Sequence, residues 1–287
     1  MKKLCLLLVV LAAPACGTVT SPTSTVTSTS TTSNVVVYSA IGASDANGVG
    51  SSSPCLPYAT CPEGKGYVQE IARRFTAAGK TVTLQNLGVP GAVLSKSMQT
   101  IANQLNRGAA INFIQDEAPF VRTDSTLVTI FAGGNDANTI GSALKAGYGG
   151  SNPTAWANTE IQSFAADMAS LITAIKARAP KARIVILNLP NLAAMPYSAG
   201  NTALEKQTLQ QIAVGLNAGI NATAAQGAIV VDMMCDSRLY NPSIFSSDGF
   251  HPNDTGYMLF ADLIYAVSST TSSTTTPKSS CNFMNLY

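Results

Sequence analysis

Runs of apolar, mostly β-branched residues alternate along the chain with longer amphipathic stretches. The runs that predict β-strands are Val35–Ile41, Val82–Leu87, Leu127–Ala132, Arg183–Leu189 and Ala228–Met233. Because these runs are almost continuously apolar, they indicate strands that are buried on both faces, as in a parallel sheet.

The stretches between the runs place apolar residues three and four positions apart, which is the spacing of one helix face. The first such stripe comprises Ile161, Phe164, Met168, Leu171 and Ile175. Thr159 and Gln162 are a candidate cap for that helix. The second stripe comprises Leu204, Ile212, Leu216 and Ile220. A last helix is predicted over residues 255–267.

The alternation of strand and helix predicts an α/β fold, namely a doubly wound three-layer α/β/α sandwich with a five-stranded parallel sheet. In such sandwiches, ligands bind at the carboxyl ends of the strands. The residues that directly follow each predicted strand are therefore the first candidates for chemistry.

Residues 1–16 have the pattern of a secretory signal peptide: Lys2 and Lys3 precede an apolar run at residues 4–13, and small residues follow. The run is shorter than the about 20 residues that a membrane-spanning helix needs. Ala13-Pro14-Ala15 fits a signal peptidase site, and cleavage there releases the protein. Alternatively, Cys16 is acylated, as in bacterial lipoproteins, and anchors the protein to a membrane. Both alternatives predict an extracytoplasmic protein, either secreted or lipid-anchored.

Two segments are rich in serine and threonine, with 13 such residues at 17–34 and 11 at 268–280. Neither segment can bury enough apolar surface to offset the entropy of ordering it, so both are predicted to be flexible. The folded domain is then predicted to span residues 35–267. It is preceded by a linker at 17–34 and followed by a tail at 268–287, which a disulfide at Cys281 would pin.

Charged residues make up only 11% of the chain, and the formal net charge is +2. Without Lys2 and Lys3 the charge falls to zero, so no basic surplus remains for binding nucleic acid or an anionic membrane. The single histidine, His251, excludes any metal site that needs two histidine ligands. We expect neither a metal ion nor an organic cofactor.

Cysteine usage agrees with export. Cys5 is lost with the leader, and Cys16 is unavailable for pairing if it is acylated. The remaining four are Cys55, Cys61, Cys235 and Cys281. An even number in an exported chain predicts two disulfides, and of the three possible pairings we favour Cys55–Cys61 with Cys235–Cys281. A zinc site built from all four is the alternative, although the spacing lacks a Cys-x2-Cys pair.

Three polar or glycine-rich turns directly follow the first three predicted strands. A fourth lies after the fifth predicted strand, near the chain end. The four turns are Gly42-Ala43-Ser44-Asp45, Asn86-Leu87-Gly88, Gly133-Gly134-Asn135-Asp136 and Asp248-Gly249-Phe250-His251. Each turn alone is an ordinary structural feature, since a lone serine turn, a helix cap or a chain reversal explains it. Their order and their placement at one predicted sheet edge are more specific.

These turns supply the groups that a serine hydrolase needs. A serine hydroxyl becomes a good nucleophile when a base removes its proton, and His251 is the only imidazole that could do this for Ser44. Asp248, three residues earlier, could fix the imidazole tautomer and stabilise its cation. The backbone N–H groups of Ser44 and Gly88 and the side-chain amide of Asn135 could bind an oxyanion.

The four motifs resemble those of the SGNH/GDSL hydrolase family of esterases and lipases, and the resemblance covers most of residues 35–267. It implies a flavodoxin-like sandwich and the roles just given for the serine, the histidine, the aspartate and the oxyanion donors. One position departs from the family pattern, because the name-giving block usually reads Gly-Asp-Ser and Ala43 replaces the aspartate. Since Asp248 can supply the triad carboxylate, we expect activity to survive, while the support of the nucleophile turn is left open.

Another hydrolase fold is less consistent with the chain. The block Gly42-x-Ser44-x-Ala46 is close to the nucleophile elbow of α/β-hydrolases. In that fold the serine follows several strands and the acid is usually far from the histidine. Here the serine follows the first strand and the acid lies three residues before the histidine.

The expected function is hydrolysis of a small-molecule or polysaccharide ester by a monomeric exported esterase. Low charge and the absence of a long apolar lid favour short-chain acyl esters or carbohydrate acetyl esters over long-chain lipids. One alternative is lipase or phospholipase activity on longer acyl chains. Another is a non-catalytic surface protein that binds glycan, which the Ala43 departure and the Ser/Thr-rich segments motivate.

Overall fold

The computed structural model describes residues 34–270 and 275–287. The predicted signal peptide, the lipidation candidate Cys16 and nearly all of the predicted linker lie outside these residues. Residues 34–287 group as one compact unit.

Five parallel strands form a single sheet in the order β2-β1-β3-β4-β5. The strands are β1 Val35–Gly42, β2 Thr81–Asn86, β3 Leu127–Phe131, β4 Arg183–Leu187 and β5 Ile229–Val231. The predicted three-layer α/β sandwich with a five-stranded parallel sheet is therefore confirmed. All five sequence runs contain a strand, and the observed strands end up to two residues earlier than predicted, except β1, which extends one residue further.

The register of β1 with its two neighbouring strands determines which residues lie at the carboxyl edge of the sheet. In β1, Tyr38 pairs with Leu84 of β2 and with Leu127 of β3, and Gly42 pairs with Phe131. Strand β1 thus lies between β2 and β3, at the point where the strand order reverses. Open α/β sheets bind ligands in the crevice at such a point, and the turn carrying Ser44 begins there.

Six α-helices cover the sheet among the described residues. They are α1 Tyr67–Ala77, α2 Lys96–Gln104, α3 Gly134–Lys145, α4 Pro153–Arg178, α5 Ala203–Ala222 and α6 Asp254–Ser268. A π-helix spans Phe113–Glu117, and short 3₁₀ turns lie at Ala118–Phe120, Leu192–Ala194, Pro196–Ser198, Thr223–Gln226, Ser237–Tyr240, Pro242–Ile244 and Asn282–Met284. Helices α1 and α6 pack together as one layer, and α3, α4 and α5 pack together as the other.

Helix α4 starts earlier than its sequence predicts. Asn152 caps it by accepting the N–H of Ala155, and Pro153 occupies the first turn, which is the preferred place for proline in a helix. The predicted cap at Thr159 and Gln162 is wrong, because Thr159 lies inside the helix and its hydroxyl donates to the Ala155 carbonyl.

Helix α5 begins at a capping box in which Thr202 and Glu205 bond reciprocally. Three residues of its predicted stripe, Ile212, Leu216 and Ile220, are buried in the core, but Leu204 is 70% exposed. Eight residues separate Leu204 from Ile212, which corresponds to a rotation of about 80° around the helix beyond two full turns. Leu204 therefore leaves the buried face and borders a surface groove.

Both favoured disulfides, Cys55–Cys61 and Cys235–Cys281, are present in the structure. Their sulfurs are bonded to each other, so the alternative four-cysteine zinc site is wrong. Elsewhere in residues 34–270 and 275–287, no cluster of three or more His, Cys, Asp or Glu side chains could hold a metal ion. Across the same residues, no helix is long and apolar enough to cross a bilayer.

The last part of the tail packs on the domain instead of leaving it. The Phe283 ring stacks on Tyr240 with ring centroids 3.9 Å apart. The Asn191 amide donates to the Phe283 carbonyl at 2.7 Å, and Gln210 Oε1 accepts the N–H of Leu286 at 2.8 Å. These contacts lie beside the Cys235–Cys281 disulfide and attach the tail to α5 and to the segment after β5.

We predict that the two disulfides differ in their contribution to stability. Cys235–Cys281 closes a loop of 46 residues and Cys55–Cys61 a loop of 6. In the chain-entropy view these loops correspond to about 4 and about 2 kcal/mol at 25 °C. The Cys235→Ser/Cys281→Ser variant should therefore lose more free energy of unfolding in urea than its matched control, Cys55→Ser/Cys61→Ser. Equal losses, or a larger loss in the control, would contradict this ranking.

Candidate active site

Ser44 lies in a tight turn directly after β1. The turn is closed by backbone hydrogen bonds from Ala46 N–H to the Ala43 carbonyl and from Asn47 and Val49 N–H to the Ser44 carbonyl, all at 3.1 Å. The Ser44 residue is 6% exposed. A strand that ends in such a turn holds the hydroxyl at the carboxyl edge of the sheet.

His251 lies in the loop before α6, and its ring bridges Ser44 and Asp248. The distance from His251 Nε2 to Ser44 Oγ is 2.9 Å, and the distance from His251 Nδ1 to Asp248 Oδ2 is 2.6 Å. The structure therefore brings the three predicted triad residues into one continuous hydrogen-bonded row. A base within this distance of a hydroxyl can take its proton.

The loop that carries His251 and Asp248 is closed on itself. An isolated bridge joins Phe245 to Pro252, and Ser246 N–H donates to the His251 carbonyl at 2.8 Å. The Asp248 side chain accepts four hydrogen bonds in all: from the backbone N–H groups of Phe250 and His251, the Ser246 hydroxyl and the His251 ring.

These bonds decide the charge of Asp248. Desolvation by burial would raise the pKa of this carboxyl, but the hydrogen bonds from His251, Phe250 and Ser246 lower the pKa to about 2. Asp248 is therefore ionised at every pH at which an imidazole base works. An ionised carboxylate at 2.6 Å from Nδ1 holds the proton on that nitrogen and leaves Nε2 to accept a proton from Ser44.

Direct contacts tie the loop after Ser44 to the start of α6 and to the histidine loop that precedes it. The Tyr257 hydroxyl donates to the Val49 carbonyl at 2.6 Å, and Ser52 donates to the Asp254 carboxylate through both its N–H and its hydroxyl. Gly50 adopts φ +93°, and a Cβ there would lie 2.8 Å from His251 Cβ. Only glycine allows this approach, so the spacing between nucleophile and base depends on backbone packing.

The three predicted oxyanion donors differ in what they bond. Among described residues, the Ser44 N–H has no acceptor. Asn135 Nδ2 donates one hydrogen to the Ala92 carbonyl at 2.9 Å, which fixes the amide and leaves its second N–H for another acceptor. The Gly88 N–H donates to Asn86 Oδ1 at 3.1 Å. An oxyanion would therefore have to share the Gly88 donor with Asn86.

Gly88 is required for a steric reason as well. A Cβ at this position would lie 2.6 Å from Ala46 Cβ and 3.1 Å from the Ala43 carbonyl oxygen. The segment after β2 thus packs against the nucleophile turn without a side chain between them. The Asn86 amide donates to the Ala46 carbonyl at 2.7 Å and attaches the same segment a second time.

A buried glutamate supports the nucleophile turn where Ala43 replaces the usual aspartate. Glu117, in the π-helix, is fully buried, and its Oε2 accepts the Gly42 N–H at 3.0 Å. Burial raises the pKa of Glu117 well above its ordinary value. Its other oxygen, Oε1, is buried and has no hydrogen-bond partner among the residues that the structure describes. The support that the Ala43 substitution left open is thus supplied from 75 residues further along the chain.

Comparison with known families decides the classification. The profile of the GDSL-like lipase/acylhydrolase family matches residues 40–259, which contain the whole hydrogen-bonded row. The chain belongs to this family. Membership places the protein among ester hydrolases of the GDSL/SGNH group and confirms the resemblance that the four motifs indicate. A search among curated proteins finds no significant match.

Solved structures of other family members share the fold of this GDSL-like protein. The extracellular lipase of Streptomyces rimosus has a TM-score of 0.54 at 19% identity, covering 80% of this chain and 99% of that one. The phospholipase A1 of Streptomyces albidoflavus has a TM-score of 0.50 at 20% identity, covering 80% and 98%. A mutant acetyl-xylooligosaccharide esterase of Geobacillus stearothermophilus has a TM-score of 0.52 at 15% identity, covering 82% and 94%.

Two spaces of different size adjoin the candidate active site of the GDSL-like domain. A cavity of about 20 Å³ touches Ser44 and Asn135 directly. A groove of about 310 Å³ lies along α3 and is lined by Asn138, Ser142, Lys145, Tyr197, Leu204 and Leu209, among others. Asn138 lies three residues after Asn135 on α3, and the Tyr197 ring packs on Phe250, next to His251, with centroids 4.9 Å apart. Two lining residues of the groove thus neighbour the segments that carry Asn135 and His251.

The roles of two acidic residues that support the GDSL-like site could not be recognised from the sequence. Glu117 lies in an ordinary acidic stretch, and only the fold brings it to Gly42. Asp136 directly follows Asn135, yet its role is structural: it is 1% exposed, and its Oδ1 accepts the Leu94 N–H at 2.9 Å. Its Oδ2 is buried without a partner.

Asp136 makes the stability of this GDSL-like domain depend on pH. Burial raises its pKa to about 7, although the Leu94 N–H lowers it somewhat. In the unfolded chain the pKa is about 3.9. Between about pH 4 and 7 the folded state therefore binds one proton more than the unfolded chain. The stability that the protonated Asp136 side chain contributes is lost as the pH rises through that range.

We predict that Asp136→Asn removes this loss. From pH 4.5 to pH 8, the free energy of unfolding of the wild type should fall relative to the variant by up to about 4 kcal/mol. Urea unfolding at the two pH values measures the difference. Asp124→Asn, an exposed ion-pair residue, is the control. A wild-type-to-Asp136→Asn difference that does not change with pH would be contrary to this account.

Proposed function

We propose that the protein is an exported serine esterase that hydrolyses short-chain acyl esters or carbohydrate acetyl esters. The observation that carries the proposal is the hydrogen-bonded row from Ser44 through His251 to Asp248, with its 2.9 and 2.6 Å contacts. In this row Ser44 is the nucleophile, His251 the general base and Asp248 the group that orients the imidazole.

The reaction proceeds in two halves. His251 Nε2 takes the Ser44 proton as Oγ attacks the ester carbonyl carbon, and a tetrahedral oxyanion forms. The intermediate collapses to an acyl-serine, and the alcohol leaves with the proton that His251 returns. Water, deprotonated by the same imidazole, then attacks the acyl-serine and regenerates Ser44 with release of the carboxylic acid.

Two donors are available to the oxyanion without any rearrangement. The Ser44 N–H and the second N–H of the Asn135 amide are free, and the bond to Ala92 holds the amide in place. The Gly88 N–H joins them if Asn86 Oδ1 shares it. Donors fixed in advance act on charge that develops in the transition state, which is the largest contribution in many acyl-transfer enzymes.

The two spaces at the site support the substrate class. The cavity at Ser44, about 20 Å³, has room for a group the size of one water molecule, such as the methyl of an acetyl group. The groove of about 310 Å³ includes Tyr197, which packs on Phe250 next to His251, so we propose that the alcohol part of the substrate extends toward this groove. Its mixture of amide, hydroxyl, charged and leucine side chains suits a polar alcohol such as a sugar.

Export is part of the proposal. Two disulfides agree with an oxidising compartment, and the leader pattern at residues 1–16 supplies the route. Cleavage after Ala15 and acylation of Cys16 remain alternative ends of that route. We further propose that the protein acts as a monomer, without nucleic acid or cofactor.

We predict that Ser44→Ala abolishes hydrolysis of p-nitrophenyl acetate and that His251→Asn is comparably inactive, since no second histidine exists. Loss of either triad member should lower kcat by at least about 10³-fold. Ser170→Ala, an exposed serine on α4, is the control and should retain wild-type turnover. Full turnover in folded Ser44→Ala would refute the assignment.

A fluorophosphonate probe separates the esterase from a non-catalytic glycan-binding protein. The probe should label wild-type protein and leave Ser44→Ala unlabelled, because only an activated serine reacts with it. A folded wild-type protein that stays unlabelled would favour the binding function.

We predict that turnover is highest for the shortest acyl chains. Across p-nitrophenyl acetate, butyrate, octanoate and palmitate, kcat/KM should decline with length, and acetylated xylan should release acetate. The small cavity at Ser44 is the reason. A maximum at octanoate or palmitate would instead indicate a lipase.

A further inference from the structure

Asp45 is an acidic residue at the candidate active site that the proposed mechanism does not use. It directly follows Ser44 and lines the cavity that touches Ser44 and Asn135. It also lines a second cavity of about 30 Å³ on its other side. The only residues common to both cavities are Asp45, Phe131 and Phe250.

Asp45 is half-buried, and its neighbours offer its carboxylate few hydrogen-bond donors. Among described residues it has no hydrogen-bond partner apart from its own backbone N–H. The second cavity is otherwise apolar, with Leu189, Leu192, Met195, Phe245 and Phe260 in its lining. Burial raises the pKa of Asp45, and the nearby His251 lowers it in part. Leaving a carboxyl without partners among aromatic rings is costly, and such cost is most often retained where a group has a function.

We propose that Asp45 is a specificity-determining residue that limits the acyl group of the substrate to about the size of acetyl. The inference rests on the proposed esterase function and specifies its acyl site. With the carbonyl oxygen at the Ser44 and Asn135 donors, the acyl group occupies the first cavity, which has about 20 Å³. An acetyl methyl fills that space.

A longer acyl chain has to continue past Asp45 into the second cavity. That cavity, about 30 Å³, can take further methylene groups and would hold them favourably, because its lining is apolar. To reach the second cavity, the apolar chain has to displace solvent from the Asp45 carboxylate, which has no side-chain partner among the described residues. The chain also has to fit beside that carboxylate. Both the charge and the volume of Asp45 thus oppose butyryl and longer groups, while acetyl does not reach that far.

The test compares Asp45→Ala, Asp45→Asn and wild type. Alanine opens the boundary between the cavities, so the ratio of kcat/KM for p-nitrophenyl butyrate to that for the acetate should rise about tenfold, as two buried methylene groups imply. Asparagine keeps the volume and removes the charge, so the ratio should rise less, about two- to threefold. Asp124→Ala, on an exposed residue before β3, is the matched control and should show the wild-type ratio.

A binding measurement keeps this test independent of turnover. In the Ser44→Ala background, thermal shift or calorimetry gives the Kd of the butyrate and acetate esters with and without Asp45→Ala. The Kd ratio should move about tenfold toward butyrate. If wild type turns over neither ester, the proposed function fails while the Kd ratio still decides the role of Asp45. If folded Asp45→Ala keeps the wild-type ratio in both measurements, the inference is overturned.

Discussion

The hydrogen bond between Ser44 Oγ and His251 Nε2 joins residues that are 207 positions apart in the chain. The two side chains can form this bond only if the backbone already holds Ser44 and His251 at the right separation. The parallel sheet does the first part, because it delivers the ends of β1, β2 and β3 to one edge. The loop after the serine does the rest: Gly50 packs against His251, and Tyr257 and Asp254 attach the same loop to the start of α6.

Three acidic residues near this bond have different tasks, and their environments account for them. Asp248 accepts hydrogen bonds from several donors and stays ionised, which suits a group that stabilises an imidazolium. Glu117 and Asp136 lie in the interior with one partnered oxygen each, so burial favours their protonated forms. They hold Gly42 and Leu94 in place. Asp248 at the site is therefore charged, whereas burial favours the neutral forms of Glu117 and Asp136.

Much of the fold and the row of site residues could be predicted from sequence because both produce periodic or local sequence patterns. Buried parallel strands are continuous apolar runs, and the turns after them carry Ser44, Asn135 and His251 in a recognisable order. What could not be predicted depends on distant contacts. Glu117 reaches Gly42 across 75 residues. The disulfide at Cys281 could be predicted, but the hydrogen bonds of Asn191 and Gln210 to the residues after Cys281 could not. The predicted cap at Thr159 is wrong because a stronger N-cap, Asn152 followed by Pro153, lies seven residues earlier.

The position of the only imidazole near the end of the folded chain also orders events during biosynthesis. Ser44, the oxyanion donors and four of the five strands are all made before residue 228, and the loop with Asp248 and His251 emerges later. A chain still being synthesised or exported therefore has the nucleophile but no base. The Cys235–Cys281 disulfide closes later still and encloses that loop. Under the proposed mechanism, hydrolytic competence arises only when the whole domain is finished.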